Sequence, residues 1–181
     1  MIDTASAEDP TGRVHTIVPS AHVHRLEADP GFGAAANLVR ELVEGASFYA
    51  FCHDDVAFEP DSLRALVEEA FRSNAGIIGP KLVSWDDPRR LLQVGMAIDK
   101  TGVAAPLADR GELDQEQHDA VRDVFVVPGA CTVVRADLFE ALDGFDPGIV
   151  LLGEDVDLCW RAHALGARVL ICPTSRVRHL E

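Results

Sequence analysis

The sequence has no apolar run long enough to cross a bilayer. Its longest is five residues, Phe48–Cys52, against the roughly 20 that a spanning helix needs. The opening Met1-Ile2-Asp3-Thr4 has no basic stretch followed by an apolar one, so no secretory signal is expected. Positive charge is scarce: 16 Lys and Arg stand against 30 Asp and Glu, a formal charge of -14. That sign argues against nucleic acid as a partner, because phosphate contacts drive such binding. It also disfavours docking on an anionic membrane. The four cysteines, Cys52, Cys131, Cys159 and Cys172, form no Cys-x-x-Cys pair and no zinc-finger spacing with histidine. They read as reduced, buried thiols of a cytoplasmic protein, and no catalytic cysteine is expected. A composition 48% apolar and 25% charged leaves no room for collagen, a coiled coil or wholesale disorder.

What remains is enough for one domain. A chain of 181 residues buries roughly 70% of its unfolded surface and needs no disulfide or metal staple. Residues 15–18 and 21–28 read as extended. Residues 32–44 read as one helix, with Leu38 and Leu42 four apart and Gly45 as its stop. Phe48–Cys52 suits a buried strand. Asp61 is placed to cap a helix with the apolar stripe Leu63, Leu66, Val67, Ala70 and Phe71. A short strand holds Ile77 and Ile78 and stops at Pro80. Further helices are expected over 135–142 and 154–165, the latter closed by Gly166. A last strand over 168–172 ends at Pro173. The alternation predicts an α/β layer with a largely parallel sheet. Residues 99–123 carry seven acids and three bases with little apolar periodicity, and predict a long loop over one sheet edge.

Chemistry concentrates at the ends of these elements. His53-Asp54-Asp55-Val56 follows the apolar strand directly, and ligands of open α/β sheets bind outside the carboxyl ends of strands. Adjacent carboxylates repel unless a cation or protons relieve them. A hard divalent ion takes such oxygens together with substrate phosphates. Read without that ion, the segment is a solvated acidic turn. Gly153-Glu154-Asp155-Val156-Asp157 sets three acids at a helix start, where the macrodipole also favours them. The apolar, glycine-punctuated approach over 147–153 suggests that they face a cleft. Val126-Val127-Pro128-Gly129-Ala130-Cys131 runs into small residues that permit close backbone approach to a ligand. His179 stands alone after the last strand. Gly31-x-Gly33 lacks the third glycine of the dinucleotide fingerprint, which excludes that oxidoreductase class.

In order, these segments resemble a family 2 glycosyltransferase with the GT-A fold. Ile2-Asp3-Thr4-Ala5-Ser6 is similar to the family's Asp-x-x-Ser nucleotide motif. The stretch from Asp29-Pro30-Gly31-Phe32 to Asn37 resembles its Asn-x-Gly-Phe-x-x-x-x-Asn segment. Asp54-Asp55-Val56 resembles the metal motif, and Gly79-Pro80-Lys81-Leu82 the exit of the next strand. Gly129-Ala130-Cys131, Gly144-Phe145-Asp146 and Glu154-Asp155-Val156-Asp157-Leu158-Cys159-Trp160-Arg161 resemble the acceptor-side core. The segment from Gly111 to Val124 is similar to large bacterial members joined to membrane-spanning segments. The family usually begins about one strand and one helix earlier, so the resemblance implies a three-layer sandwich with a mostly parallel central sheet, truncated at its N-terminus. It implies a nucleotide-binding half over 1–80 and an acceptor half over 81–181, within a single partial domain over 1–181.

The resemblance also implies roles. Asp55 and His179 would hold Mg²⁺ or Mn²⁺. Asp3, Asn37 and Asp54 would contact the nucleoside or orient the ion. Gly129 and Ala130 would line the sugar site. Asp155 would be general base and Glu154 its support. The activity implied is inverting transfer from a nucleoside-diphosphate sugar, UDP or dTDP, to a glycan or lipid-linked acceptor in polysaccharide or cell-envelope synthesis. The cytoplasmic face of a membrane is the implied location of the parent protein. The competing expectation is a non-catalytic nucleotide- or glycan-binding module of the same fold. A nucleotidyltransferase would need a basic, glycine-rich N-terminal loop, which the sequence lacks.

Overall fold

The structure is a computed structural model and describes residues 1–180. The strands are β1 (Ile2–Thr4), β2 (His24–Leu26), β3 (Phe48–Cys52), β4 (Val56–Phe58), β5 (Ala75–Ser84), β6 (Leu91–Gln93), β7 (Met96–Ile98), β8 (Ala104–Pro106), β9 (Arg122–Asp123), β10 (Cys131–Arg135) and β11 (Arg168–His179). The helices are α1 (Thr11–Ile17), α2 (Phe32–Ala36), α3 (Val39–Leu42), α4 (Ser62–Ser73), α5 (Ala136–Ala141) and α6 (Glu154–Ala164). The main sheet has the order β3-β10-β5-β11-β4, with β6 beside β5 and β9 beside β11. β5 and β11 are parallel, and β3 shares their direction because both it and β5 pair antiparallel with β10. β1 and β2 form a separate parallel pair.

Strand alternation divides the core into two layers. Ile77, Val134, Val169 and Ile171 face α5 and α6, where they meet Phe139, Leu158 and Ala162. Their immediate neighbours Ile78, Val133 and Leu170 face the other way, onto Leu66 and Ala70 of α4. Each of these fully buried aliphatic side chains contributes about 1.5–3 kcal/mol. The result is the expected α/β sandwich of three layers.

The elements expected at β3, α4, α5 and α6 are present, but of the apolar stripe expected on α4 Leu66 and Ala70 are buried while Leu63 and Phe71 are exposed. Residues 15–17 are helical: Pro10, at φ -78°, opens α1, and no residue of α1 is buried to reward a strand. The helix expected over 32–44 is two short helices. Asn37 and Leu38 join them through tighter bonds, Leu38 N–H to Ala35 O and Arg40 N–H to Asn37 O. Asp61 precedes α4 but adopts a left-handed φ of 65° and makes no side-chain cap. Neither proline ends its strand. Pro80 of β5 lies opposite Cys172 of β11, where β11 shifts register before Arg176, and such an irregularity tolerates a missing N–H.

The acidic 99–123 segment is partly ordered by pairing, through β8 and β9. It is also tied down by a charge. Lys81 is 1% exposed, and its Nζ lies 2.9 Å from both oxygens of Asp114 and in close contact with Asp119. Arg176 reaches Asp114 as well, at 2.6 Å. This network holds the segment across β5 and β11, close to the end where β11 delivers His179.

Candidate functional site

β3 and β10 are antiparallel neighbours, so the end of one meets the start of the other. The residues just beyond β3 therefore lie beside those just before β10. The N–H of His53 donates to the carbonyl of Ala130 at 3.1 Å. One residue earlier, the N–H of Gly129 donates to Oδ2 of Asp155 at 3.0 Å. The other Asp155 oxygen accepts from the N–H of Val156 at 2.8 Å. Two backbone donors thus fix the carboxylate at the N-terminus of α6, where the helix dipole also favours negative charge.

On the far side of His53 a second cluster forms. β11 pairs with β4 and brings His179 opposite Val56. Oδ1 of Asp55 is 3.3 Å from Nε2 of His179 and 3.9 Å from Nδ1 of His53. One ligand atom from each of the three lies within 4.8 Å of the others. Oδ1 of Asp55 is buried and has no hydrogen-bond partner. A buried carboxylate oxygen without a donor is costly, and two imidazoles with one carboxylate are a divalent-metal donor set. These residues fit a metal ion.

Phe32 links the two clusters. Its ring meets that of His53 edge-on at 5.3 Å and that of Phe145 at 6.0 Å. Phe32, Phe145, Gly129, Glu154 and Asp155 line one small cleft. Cys159 also lines it, but burial pushes its thiol up to about 12. It is protonated at neutral pH and no nucleophile.

Of the expected residues, Gly129, Glu154 and Asp155 line this cleft, Asp55 and His179 meet in the neighbouring cluster, Ala130 bonds to His53 between the two, and three others are placed differently. Asp54 is exposed and lies outside the three-residue cluster. Asn37 donates from Nδ2 to the Phe145 carbonyl and accepts from the Phe145 N–H, both at 2.8 Å. Asp3 accepts from Arg25 at 2.7 Å and from the Ser6 N–H at 3.3 Å. In this structure the side chains of Asn37 and Asp3 are bonded within the fold. The sequence reading does not single out His53, the third member of this cluster. It stands two residues before Asp55, but the spacing of a strand end does not reveal which of three neighbouring polar side chains turn inward.

Comparison with known proteins is consistent across the chain. Residues 6–181 match the profile described as glycosyltransferase like family 2. The chain is 29% identical over 156 residues to the O-antigen biosynthesis protein RfbC of Myxococcus xanthus, covering 83% of this chain and 12% of that protein. It is 30% identical over 136 residues to a pre-mycofactocin glycosyltransferase of Mycobacterium tuberculosis, covering 73% and 26%. The chain therefore spans about an eighth to a quarter of the length of these relatives. Two solved structures share the fold. GalNAc-T7, crystallised with UDP, GalNAc and Mn²⁺, superposes with a TM-score of 0.78 at 16% identity, over 99% of this chain and 36% of its own. S. aureus TarS 1-349, in complex with UDP, gives 0.67 at 15% identity, over 99% and 50%. This is the GT-A fold. Among the described residues no helix is long and apolar enough to cross a membrane.

Proposed function

The chain belongs to glycosyltransferase like family 2, and from this we propose that it moves a sugar from a nucleoside-diphosphate sugar to an acceptor hydroxyl, inverting the anomeric centre. The observation that carries the reading is the unpartnered Oδ1 of Asp55 between two imidazoles. It lies across His53 and Ala130 from a carboxylate held by Gly129.

In this reading His53, Asp55 and His179 hold a divalent ion. Two nitrogens and one oxygen favour Mn²⁺ over Mg²⁺, because imidazole suits transition ions and Mg²⁺ prefers oxygen. When bound, such an ion neutralises charge on a diphosphate leaving group. Asp155 accepts the acceptor's hydroxyl proton, a role worth roughly 10²–10⁴ in rate. The Gly129 N–H fixes the rotamer of that base. Glu154, beside it on the same helix turn, binds the acceptor. Gly129 and Ala130 present backbone, with no bulky side chain, to the sugar. Asn37 and Asp3 position the walls of the nucleotide half (1–80), while 81–181 supplies the base. One base on the acceptor face gives a single in-line displacement, hence inversion.

UDP or dTDP is the proposed donor nucleotide, supported by the UDP in both fold neighbours. A glycan or lipid-linked acceptor in polysaccharide synthesis is supported by the name of the M. xanthus relative. The four free cysteines fit a cytoplasmic setting. Titration with UDP, dTDP and GDP, with and without Mn²⁺, tests the proposal. Mn²⁺-dependent binding of one nucleotide, lost in Asp55→Ala, is the expected result. Metal-independent binding with no turnover would favour the non-catalytic module.

A further inference from the structure

Phe51 and Thr132 line the cleft; one residue on, Cys52 of β3 and Cys131 of β10 are register partners on the other face of the sheet. Their Sγ atoms are 3.7 Å apart. The adjacent pair, His53 and Ala130, is hydrogen-bonded. Antiparallel ladders alternate, so Cys52 and Cys131 occupy a non-hydrogen-bonded position, where Cα atoms approach to about 4.5 Å and side chains come closest. That spacing lies within the range that a disulfide spans, roughly 4.4–6.8 Å, and a small rotation of each side chain closes the sulfurs to bonding distance. All four cysteines are free, and of the four only Cys52 is partly exposed. Cys172 differs: its sulfur faces the Ala65 carbonyl and the Thr174 hydroxyl.

We propose that Cys52 and Cys131 are an oxidative modification site, closed reversibly into a cross-strand disulfide by a small-molecule disulfide such as oxidised glutathione. The partly exposed Cys52 reacts first, as the nucleophile. Its thiolate sulfur bonds to one sulfur of the oxidant and releases the other as a thiol. Cys131 then attacks the Cys52 sulfur of this mixed disulfide, forming the Cys52–Cys131 bond and releasing the second thiol. Two protein thiols are oxidised by one disulfide, which leaves as two thiols. The bond joins the two strand ends that carry His53 and Gly129, the metal side and the base side of the cleft.

The test is peptide mapping of the whole chain after incubation with oxidised glutathione at neutral pH, followed by alkylation of the remaining thiols. The expected product is a Cys52–Cys131 cross-linked peptide pair, with Cys159 and Cys172 alkylated. Dithiothreitol reverses it. Cys131→Ser stops at glutathione on Cys52, and Cys52→Ser shows neither adduct nor cross-link. A stable glutathione adduct on Cys52 in the unsubstituted chain, a bond to Cys159 or Cys172, or unreacted thiols throughout would each overturn the proposal. None of these outcomes depends on glycosyl transfer, so the result stands apart from the proposed function.

Discussion

Oδ1 of Asp55 lies 3.3 Å from Nε2 of His179 and takes part in no hydrogen bond. An unsatisfied buried carboxylate oxygen costs about 1–3 kcal/mol or more. Two opposite effects of Asp55→Ala follow. In chelator the variant unfolds at higher urea than the unsubstituted protein, by about 1 kcal/mol. With Mn²⁺ present the order reverses, because only the unsubstituted protein gains binding energy. His53→Ala and His179→Ala each weaken Mn²⁺ by at least the roughly 10–100-fold seen for supporting groups of metal sites. Unchanged affinity in His53→Ala would remove that residue from the site.

Asp155→Asn keeps an oxygen for the Gly129 N–H but cannot take a proton. Transfer to acceptor should fall by roughly 10²–10⁴-fold, while UDP binding stays as it was. A variant that loses both together would point to a collapsed cleft instead of a missing base.

Lys81 pairs with the largely buried Asp114 and the half-exposed Asp119. Lys81→Met leaves Asp114 with Arg176 alone, and losing one partner of a buried pair that keeps a second cation should cost up to about 3 kcal/mol. Denaturant unfolding measures this, and limited proteolysis should then cut first between residues 107 and 121.

The same network fixes a dependence on acid. Burial raises the Asp114 carboxyl, but hydrogen bonds from Lys81 and Arg176 outweigh it and hold it below its ordinary 3.8. A carboxyl lowered by folding stabilises above its ordinary value, and that contribution is lost as pH falls through the folded value. The urea midpoint should therefore drop below about pH 4, and Asp114→Asn should flatten that drop.

Gly144 packs against the amide that braces Phe145. A Cβ there would sit 2.3 Å from Oδ1 of Asn37, and φ is +73°. Gly144→Ala should cost about 1–3 kcal/mol from backbone strain alone. Asn37→Ala, which orphans the Phe145 N–H and carbonyl, should cost a similar amount. Thermal or urea unfolding of the two variants and their double mutant measures the coupling.

Much of this was legible in the residues. Phe48–Cys52 declared itself as a strand by its apolar run, and the α4 stripe did so in part: Leu66 and Ala70 are buried, whereas Leu63 and Phe71 are exposed. Asp55, after a strand, and the acids at 154–155, at a helix start, stand out by position, whereas nothing in the sequence shows that Asp54 between His53 and Asp55 turns outward. What stayed hidden depends on partners distant in sequence. Pro80 reads as a strand end until β11 supplies an irregular neighbour. Nothing near Asn37 in sequence reveals that it bonds both backbone groups of Phe145. The 99–123 segment reads as a free loop until a buried lysine appears under it. Composition shows the acids of that segment but not the cation they face.

The cluster of His53, Asp55 and His179 joins residues from β3's exit to a histidine at the end of β11, the last strand described. During synthesis His53 and Asp55 leave the ribosome long before His179 does. β11 is also the strand between β5 and β4, and its Val169 and Ile171 pack against Leu158 and Ala162 of α6. A nascent chain that ends at α6 therefore lacks both His179 and the floor on which α6 rests, so the cluster and the seat of Asp155 are completed by the same last-made strand.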